Sequence, residues 1–326
     1  MTILVTGSAG HLGEALMRIL RGRGEAALGL DIKPSAYTDM VGSIADREFV
    51  REAMRGVSAV LHTATLHKPH VVTHTHSQFV ETNVAGTLNL LEEAADAGVG
   101  AFVQTSTTSA FGDALSPPPG TPAAWITEAV LPVPKNIYGA TKLAAEYLCR
   151  VVAKQRGLPV VVLRTSRFFP EEDDKAEVRE AFSQDNMSAL ELLNRRGDIE
   201  DMALAHLAAA RRAPEIGFGM AIVSATSPFT RDDLPLLNID AGAVIRRHFP
   251  ESEALFARAG WNFLPAIDRV YVNDHARALL GWEPKYTFAH VLRCLERGED
   301  FRSELARAVG RKGYHAEDFS EGPYPV

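Results

Sequence analysis

Only two of the 326 residues are cysteine, Cys149 and Cys294, and each falls within an amphipathic helical pattern. That scarcity excludes a disulfide framework and any paired-thiol metal spacing. Both thiols are expected as small buried apolar groups. Long apolar runs are lacking as well. No stretch approaches the ~18 consecutive apolar residues that a membrane-crossing helix needs. Neither sign of charge dominates: 34 Lys and Arg stand against 41 Asp and Glu, a net charge of -7. Such a balance disfavours nucleic acid and anionic membrane as partners. No basic segment precedes an apolar stretch, and the chain opens directly on a β-rich run, so the expected location is cytoplasmic. Internal repeats and low-complexity tracts are missing too, which excludes solenoids and arrays.

What is present is an ordinary globular balance, 46% hydrophobic and 23% charged, in a chain long enough to bury a sizeable core. Short apolar β-rich runs at 3–5, 26–30, 59–62, 101–105 and 160–163 alternate with helical patterns near 11–22, 46–55, 78–97 and 138–156. This alternation predicts an α/β fold, a doubly wound parallel sheet covered on both faces. Residues 1–166 form that unit, with a helix and a strand returning to it from about 199–226. Residues 167–198 and 227–310 are expected to form a smaller mixed α/β portion for the substrate. The charge run at 171–180 reads as the solvated start of a helix. The tail at 311–326 has no clear period and reads as a loosely ordered terminus.

The first run leads into Thr6-Gly7-Ser8-Ala9-Gly10-His11-Leu12-Gly13. Gly7 and Gly10 allow a tight turn and close approach to a pyrophosphate. Gly13 allows the helix to pack near the strand, and the helix start offers its N–H groups to phosphate. A glycine-rich loop with a strand before it and a helix after it predicts nucleotide binding. The second run ends at Asp31, 18 residues beyond Gly13, where a carboxylate accepts from ribose hydroxyls and repels a 2′-phosphate. NAD is thus favoured over NADP. Asp46 either caps the next helix or contacts adenine.

Tyr138 and Lys142 are four apart at the start of a helical stretch and share a face. An ammonium beside a phenol favours phenolate, so Tyr138 is the candidate acid/base. A hydroxyl cluster at Thr105–Ser109 ends the 101–105 run, at the carboxyl edge where ligands sit in this architecture.

Together these features resemble an extended short-chain dehydrogenase/reductase of the NAD-dependent epimerase/dehydratase family. The resemblance also rests on Leu61-His-Thr-Ala64, Asn83-Val-Ala-Gly-Thr-Leu-Asn-Leu-Leu91 and Leu280-Gly-Trp-Glu-Pro284. It implies an enzyme in which Tyr138, Lys142 and Thr107 are catalytic. It further implies that NAD is held by Gly7, Ala9, Gly10, His11, Leu12, Gly13, Asp31, Ile32, Ser43, Ile44, His62, Thr63, Ala64, Asn83, Thr105, Tyr138 and Lys142. Asn83, at its helix start, would support the site, though as a bare residue it is simply a good N-cap. A homodimer through helices 83–97 and 138–156 is implied as well.

Departures from the family pattern bear on substrate. Thr107 is followed by Thr108-Ser109 rather than the Asp-Glu of the 4,6-dehydratases, which argues against dehydration. Arg167 stands where nucleotide-sugar epimerases carry Asn. It would either grip a phosphate or carboxylate or pair with the acidic run at 171–174. The Phe-Phe-Pro-Glu stretch that follows is similar to uronate dehydrogenases. Histidines at 62, 67, 70, 74 and 76 invite zinc, but His74 and His76 have the wrong spacing for one helix face and no Cys or carboxylate cluster accompanies them. No metal is expected. His67, Lys68, Thr107, Thr108, Ser109, Arg167, Arg195 and Arg269 are the expected substrate contacts, with surface ion pairing the alternative for the last two. The expected activity is that of a nucleotide-sugar epimerase using tightly held NAD. The alternative is a sugar or sugar-acid dehydrogenase that releases NADH, and a non-catalytic NAD sensor is also compatible with the fold.

Overall fold

The computed structural model describes residues 2–118, 120–173 and 176–313. Its main sheet contains β1 (Thr2–Thr6), β2 (Ala27–Asp31), β3 (Met40–Val41), β4 (Val57–His62), β5 (Ala101–Thr107), β7 (Val160–Thr165) and β8 (Phe218–Val223). The order is β3-β2-β1-β4-β5-β7-β8, and every neighbouring pair is parallel. Two short strands, β6 (Ala124–Ile126) and β9 (Arg269–Tyr271), pair separately. Strand order reverses at β1/β4, so their carboxyl ends part there and leave a crevice.

Alternation of side chains along each strand feeds two cores, one on each face. Val5, Leu61, Val103, Val161 and Leu163 pack against helices His11–Gly22 and Ile199–Ile216. Leu4, Val60, Phe102, Val160 and Val162 pack on the other side against Leu90, Leu91 and Val152 from helices Gly86–Asp96 and Ile137–Arg156. A third core, centred on Leu190, Phe229, Ile245, Phe256 and Phe288, lies outside the sheet. No helix among the described residues is long and apolar enough to cross a membrane.

Two local expectations are corrected. The single helix expected over 78–97 is three pieces: His76–Phe79, a π-helical turn at Val80–Ala85, and Gly86–Asp96. Asn83 therefore sits inside the turn rather than at a helix start, and the N-cap is Thr75, whose hydroxyl accepts from the Gln78 N–H. The charge run is likewise not a solvated helix start throughout. Its helix begins at Ala176, while Glu171 is buried and Asp173 nearly so. Of the tail expected from 311, residues 314–326 lie outside the described residues.

Candidate active site

A cleft of about 1020 Å³ runs along the carboxyl edge of the sheet. Its first end is the turn between β1 and helix His11–Gly22. Gly7 has φ +74°, a conformation that L side chains rarely adopt, and a Cβ there would lie 2.7 Å from the Ala64 nitrogen. At Gly13 a Cβ would come within 2.0 Å of the Gly7 carbonyl oxygen. The helix N-cap is Gly10, which offers no side-chain cap, so the first N–H groups remain available to an anion at the cleft. Asp31 lines the cleft at the end of β2, accepting from Ala9 N–H at 3.0 Å and Lys33 N–H at 2.9 Å. A carboxylate has about four lone-pair sites, so it retains capacity for ribose hydroxyls. Ile32, Ser43, Ile44, Thr63, Ala64 and Thr105 also line this cleft. Asp46 is a helix cap, accepting from Glu48 and Phe49 N–H, and is not among the lining residues.

Three of the expected cofactor residues, Gly13, His62 and Asn83, do not line the cleft. Gly13 acts through close packing. His62 is fully buried, with Nδ1 2.7 Å from the Thr6 hydroxyl and Nε2 3.0 Å from that of Thr87. Burial and the nearby Lys142 ammonium hold it well below the usual histidine range, so it is a neutral bridge behind the site. The Asn83 carboxamide accepts from the Thr65 hydroxyl and Leu66 N–H and donates to the Leu66 carbonyl and the Thr141 hydroxyl. It ties the loop after β4 to the helix that carries Tyr138. Nothing in a single sequence distinguishes this from capping.

Tyr138, Lys142 and Thr107 meet at the floor of the cleft, all buried. Asn136 caps the helix, accepting from Gly139 N–H at 3.0 Å, which fixes where its first turn begins. Burial raises the Tyr138 phenol well above its ordinary value, and a hydrogen bond with the Thr107 side chain opposes that rise. The expected lowering of Tyr138 by its lysine neighbour is not among the influences on it, desolvation dominates, and the phenol keeps its proton in the free site. Burial brings the Lys142 ammonium down to about 8.

The opposite wall is aromatic and cationic. The His67 ring lies 5.0 Å from Tyr138 and edge-on to Phe169 at 5.5 Å. Burial pushes His67 down to about 3, so it is neutral. The Arg167 guanidinium lies over Phe169 and donates to the carbonyls of Glu171 and Glu172, with Asp173 at 3.6 Å. Pairing with the acidic run is therefore realised, while Arg167 still lines the cleft. Arg195 pairs with Glu191 at 2.8 Å and Arg269 with Asp268 at 2.8 Å, and both line the cleft. Lys68, Thr108 and Ser109 complete the expected lining. Sequence reasoning missed Glu191, the fully buried carboxylate that gathers Arg167, Arg195 and Arg196. It also missed the pairing of Glu171 with His11 at 2.9 Å. Glu191 stands in no motif, and Glu171, although it closes the Phe-Phe-Pro-Glu stretch, gives no local sign of a histidine partner.

The epimerase model spans residues 3–217, the whole of the sheet up to the residue before β8. The chain belongs to the NAD dependent epimerase/dehydratase family. It is an enzyme of the extended short-chain dehydrogenase/reductase type, and NAD is its cofactor, which suits the glycine cradle and Asp31. A UDP-glucose 4-epimerase of Rhizobium leguminosarum bv. trifolii is 29% identical over 328 residues, covering 90% of this chain and 95% of that one. The low-salt glycan biosynthesis protein Agl12 of Haloferax volcanii is 27% identical over 88% and 95%. The chain spans about half or less of some other curated relatives it matches, such as 40% of the uncharacterized protein y4nG of Sinorhizobium fredii. A short-chain dehydrogenase/reductase superfamily protein of Agrobacterium tumefaciens, solved with bound NAD, superimposes with a TM-score of 0.64 at 25% identity. That match covers 91% of this chain and 98% of the other.

Proposed function

We propose that the chain is a nucleotide-sugar epimerase. The observation that carries this reading is the placement of three arginines, Arg167, Arg195 and Arg269, in the same cleft as Tyr138 and Thr107. Three guanidiniums facing a hydroxyl-reactive floor suit a substrate that joins a sugar to an anionic group. The end-to-end likeness to a UDP-glucose 4-epimerase supports it.

In this reading, Thr107 holds the reacting sugar oxygen and Tyr138 exchanges a proton with it. Lys142, one turn along, holds the ribose and favours the phenolate form that burial opposes. Gly7, Gly10, Gly13 and Asp31 hold NAD, which when bound supplies a reversible hydride acceptor. His67 and Phe169 shield the reacting centre from water. Epimerisation then requires the sugar to present its other face before the hydride returns, so no net redox change follows.

A second reading, a sugar-acid dehydrogenase, is favoured by Arg167 itself, whose single fork fits one carboxylate and which stands where epimerases carry Asn. Purified protein incubated with NAD and a panel of sugars, sugar acids and nucleotide sugars separates the two. Conversion of a nucleotide sugar to its stereoisomer without absorbance at 340 nm supports the epimerase. NADH accumulating with a sugar acid overturns it in favour of the dehydrogenase.

The family resemblance also carries a homodimer through helices 83–97 and 138–156, with Tyr147 and Val151 exposed on the second of them. Tyr147 and Val151 lie one turn apart on one face. Sedimentation of Tyr147→Glu/Val151→Asp as a monomer, beside a dimeric parent, is the expected result.

A further inference from the structure

A buried charge network that none of the proton-transfer steps uses lies directly behind the trio. Tyr138, Lys142 and Glu146 succeed one another at four-residue spacing, so all three face inward from one side of helix Ile137–Arg156. Ser106 and Arg164 are register partners on β5 and β7. Both reach Glu146. The Ser106 hydroxyl donates to Oε1 at 2.6 Å, and Arg164 donates through Nε to Oε1 at 2.9 Å and through a terminal nitrogen to Oε2 at 2.6 Å. Glu146 and Arg164 are each 3% exposed. The Arg164 guanidinium also lies over the Phe111 ring at 4.7 Å.

Such a pair is costly to bury and is weak as a source of stability, because desolvation of both ions offsets their attraction. Its geometry is specific nonetheless. A bidentate fork, together with a hydroxyl next in sequence to Thr107, fixes the helix against two strands at once.

We propose that Glu146, clamped by Arg164 and Ser106, is a positioning residue that holds Lys142 in register with Thr107 and presents its carboxylate to the ammonium from one turn along the helix. The proposal rests on the reading of Tyr138 and Lys142 as the proton-transfer pair. Among the described residues, His62, His67, Tyr138 and Cys149 around Lys142 carry no negative charge to replace it. His62 and His67 are held neutral by burial, and Lys142 disfavours their charged forms. Cys149 is held as the thiol by burial, and Tyr138 keeps its proton. Glu146 is the carboxylate among the groups that hold the ammonium up against desolvation.

The test reads Lys142 directly, without substrate or cofactor. The chain has eight lysines, so ¹³C-lysine spectra resolve few signals, and loss of one in Lys142→Arg assigns it. The ammonium should titrate near 8 in the parent. Glu146→Gln should move that titration about one pH unit lower, and Glu146→Asp should return most of it. If Glu146→Gln does not fold because Arg164 is left unpaired, Glu146→Gln/Arg164→Met removes both ions and should move the titration the same way by less. An unmoved Lys142 titration in a folded variant overturns the proposal. A moved titration with unchanged turnover overturns instead the role of Lys142 in proton transfer.

Discussion

The Asn83 carboxamide donates to the Thr141 hydroxyl at 3.1 Å, joining the loop after β4 to the residue just before Lys142. Its remaining bonds go to Thr65 and Leu66, so one buried side chain sets the distance between the roof and the floor of the cleft. Asn83→Ala leaves the Leu66 N–H and carbonyl without this partner. Loss of about 1–3 kcal/mol of stability is expected from the unsatisfied groups. The measurement is denaturant unfolding of both proteins, and equal midpoints would remove Asn83 from this role.

Tyr138→Phe keeps the ring that packs against His67 and removes the hydroxyl that meets Thr107. Turnover should fall roughly 10²–10⁴-fold while the NAD dissociation constant changes less than threefold, since proton transfer alone is lost. Calorimetric titration with NAD and the stereoisomer assay check the two halves separately. Activity within tenfold of the parent would transfer the acid/base role elsewhere.

Asp31 already accepts from two backbone N–H groups at the rim of the nucleotide end. Asp31→Ser removes the charge that repels a 2′-phosphate and weakens the ribose contact. NAD affinity should fall about tenfold and the preference over NADP should shrink by more. An unchanged preference, read from the two dissociation constants, would mean that discrimination lies at Lys33 or beyond.

Asp201 is buried and accepts from the N–H groups of Lys285 and Tyr286. Burial nevertheless raises its carboxyl to about 7, with Asp198 and Glu200 adding repulsion. Between about pH 4 and 7 the folded chain then binds more protons here than the unfolded chain, so stability falls as pH rises through that window and levels off above it. Asp201→Asn cannot ionise. The melting temperature of the parent minus that of Asp201→Asn should decline from pH 4 to 7 and then stay flat. A flat difference throughout would show that the buried carboxyl titrates normally.

Much of the sheet is legible in the sequence because each central strand is an apolar run bounded by turn residues. The runs at 3–5, 101–105 and 160–163 sit inside β1, β5 and β7. The phosphate turn and Asp31 are legible for the same reason, being local and glycine-marked. β3 and β6 are not, since two or three residues carry no period, whereas β9 shows as the strand-like Val-Tyr-Val after Arg269. Glu146, Glu171 and Glu191 are hidden for a different reason. Each looks like one more helix or loop carboxylate until tertiary packing brings an arginine or histidine to it from elsewhere in the chain.

The π-helical turn at Val80–Ala85 means that a helical wheel drawn through 76–96 is out of phase on one side of Asn83 or the other. A π turn admits an extra residue, so the face that looks outward before it is rotated away after it. Any set of substitutions chosen to redesign that outer surface has to be phased separately for the two halves. One chosen from a continuous wheel will place some of its changes in the core beside Leu90 and Leu91.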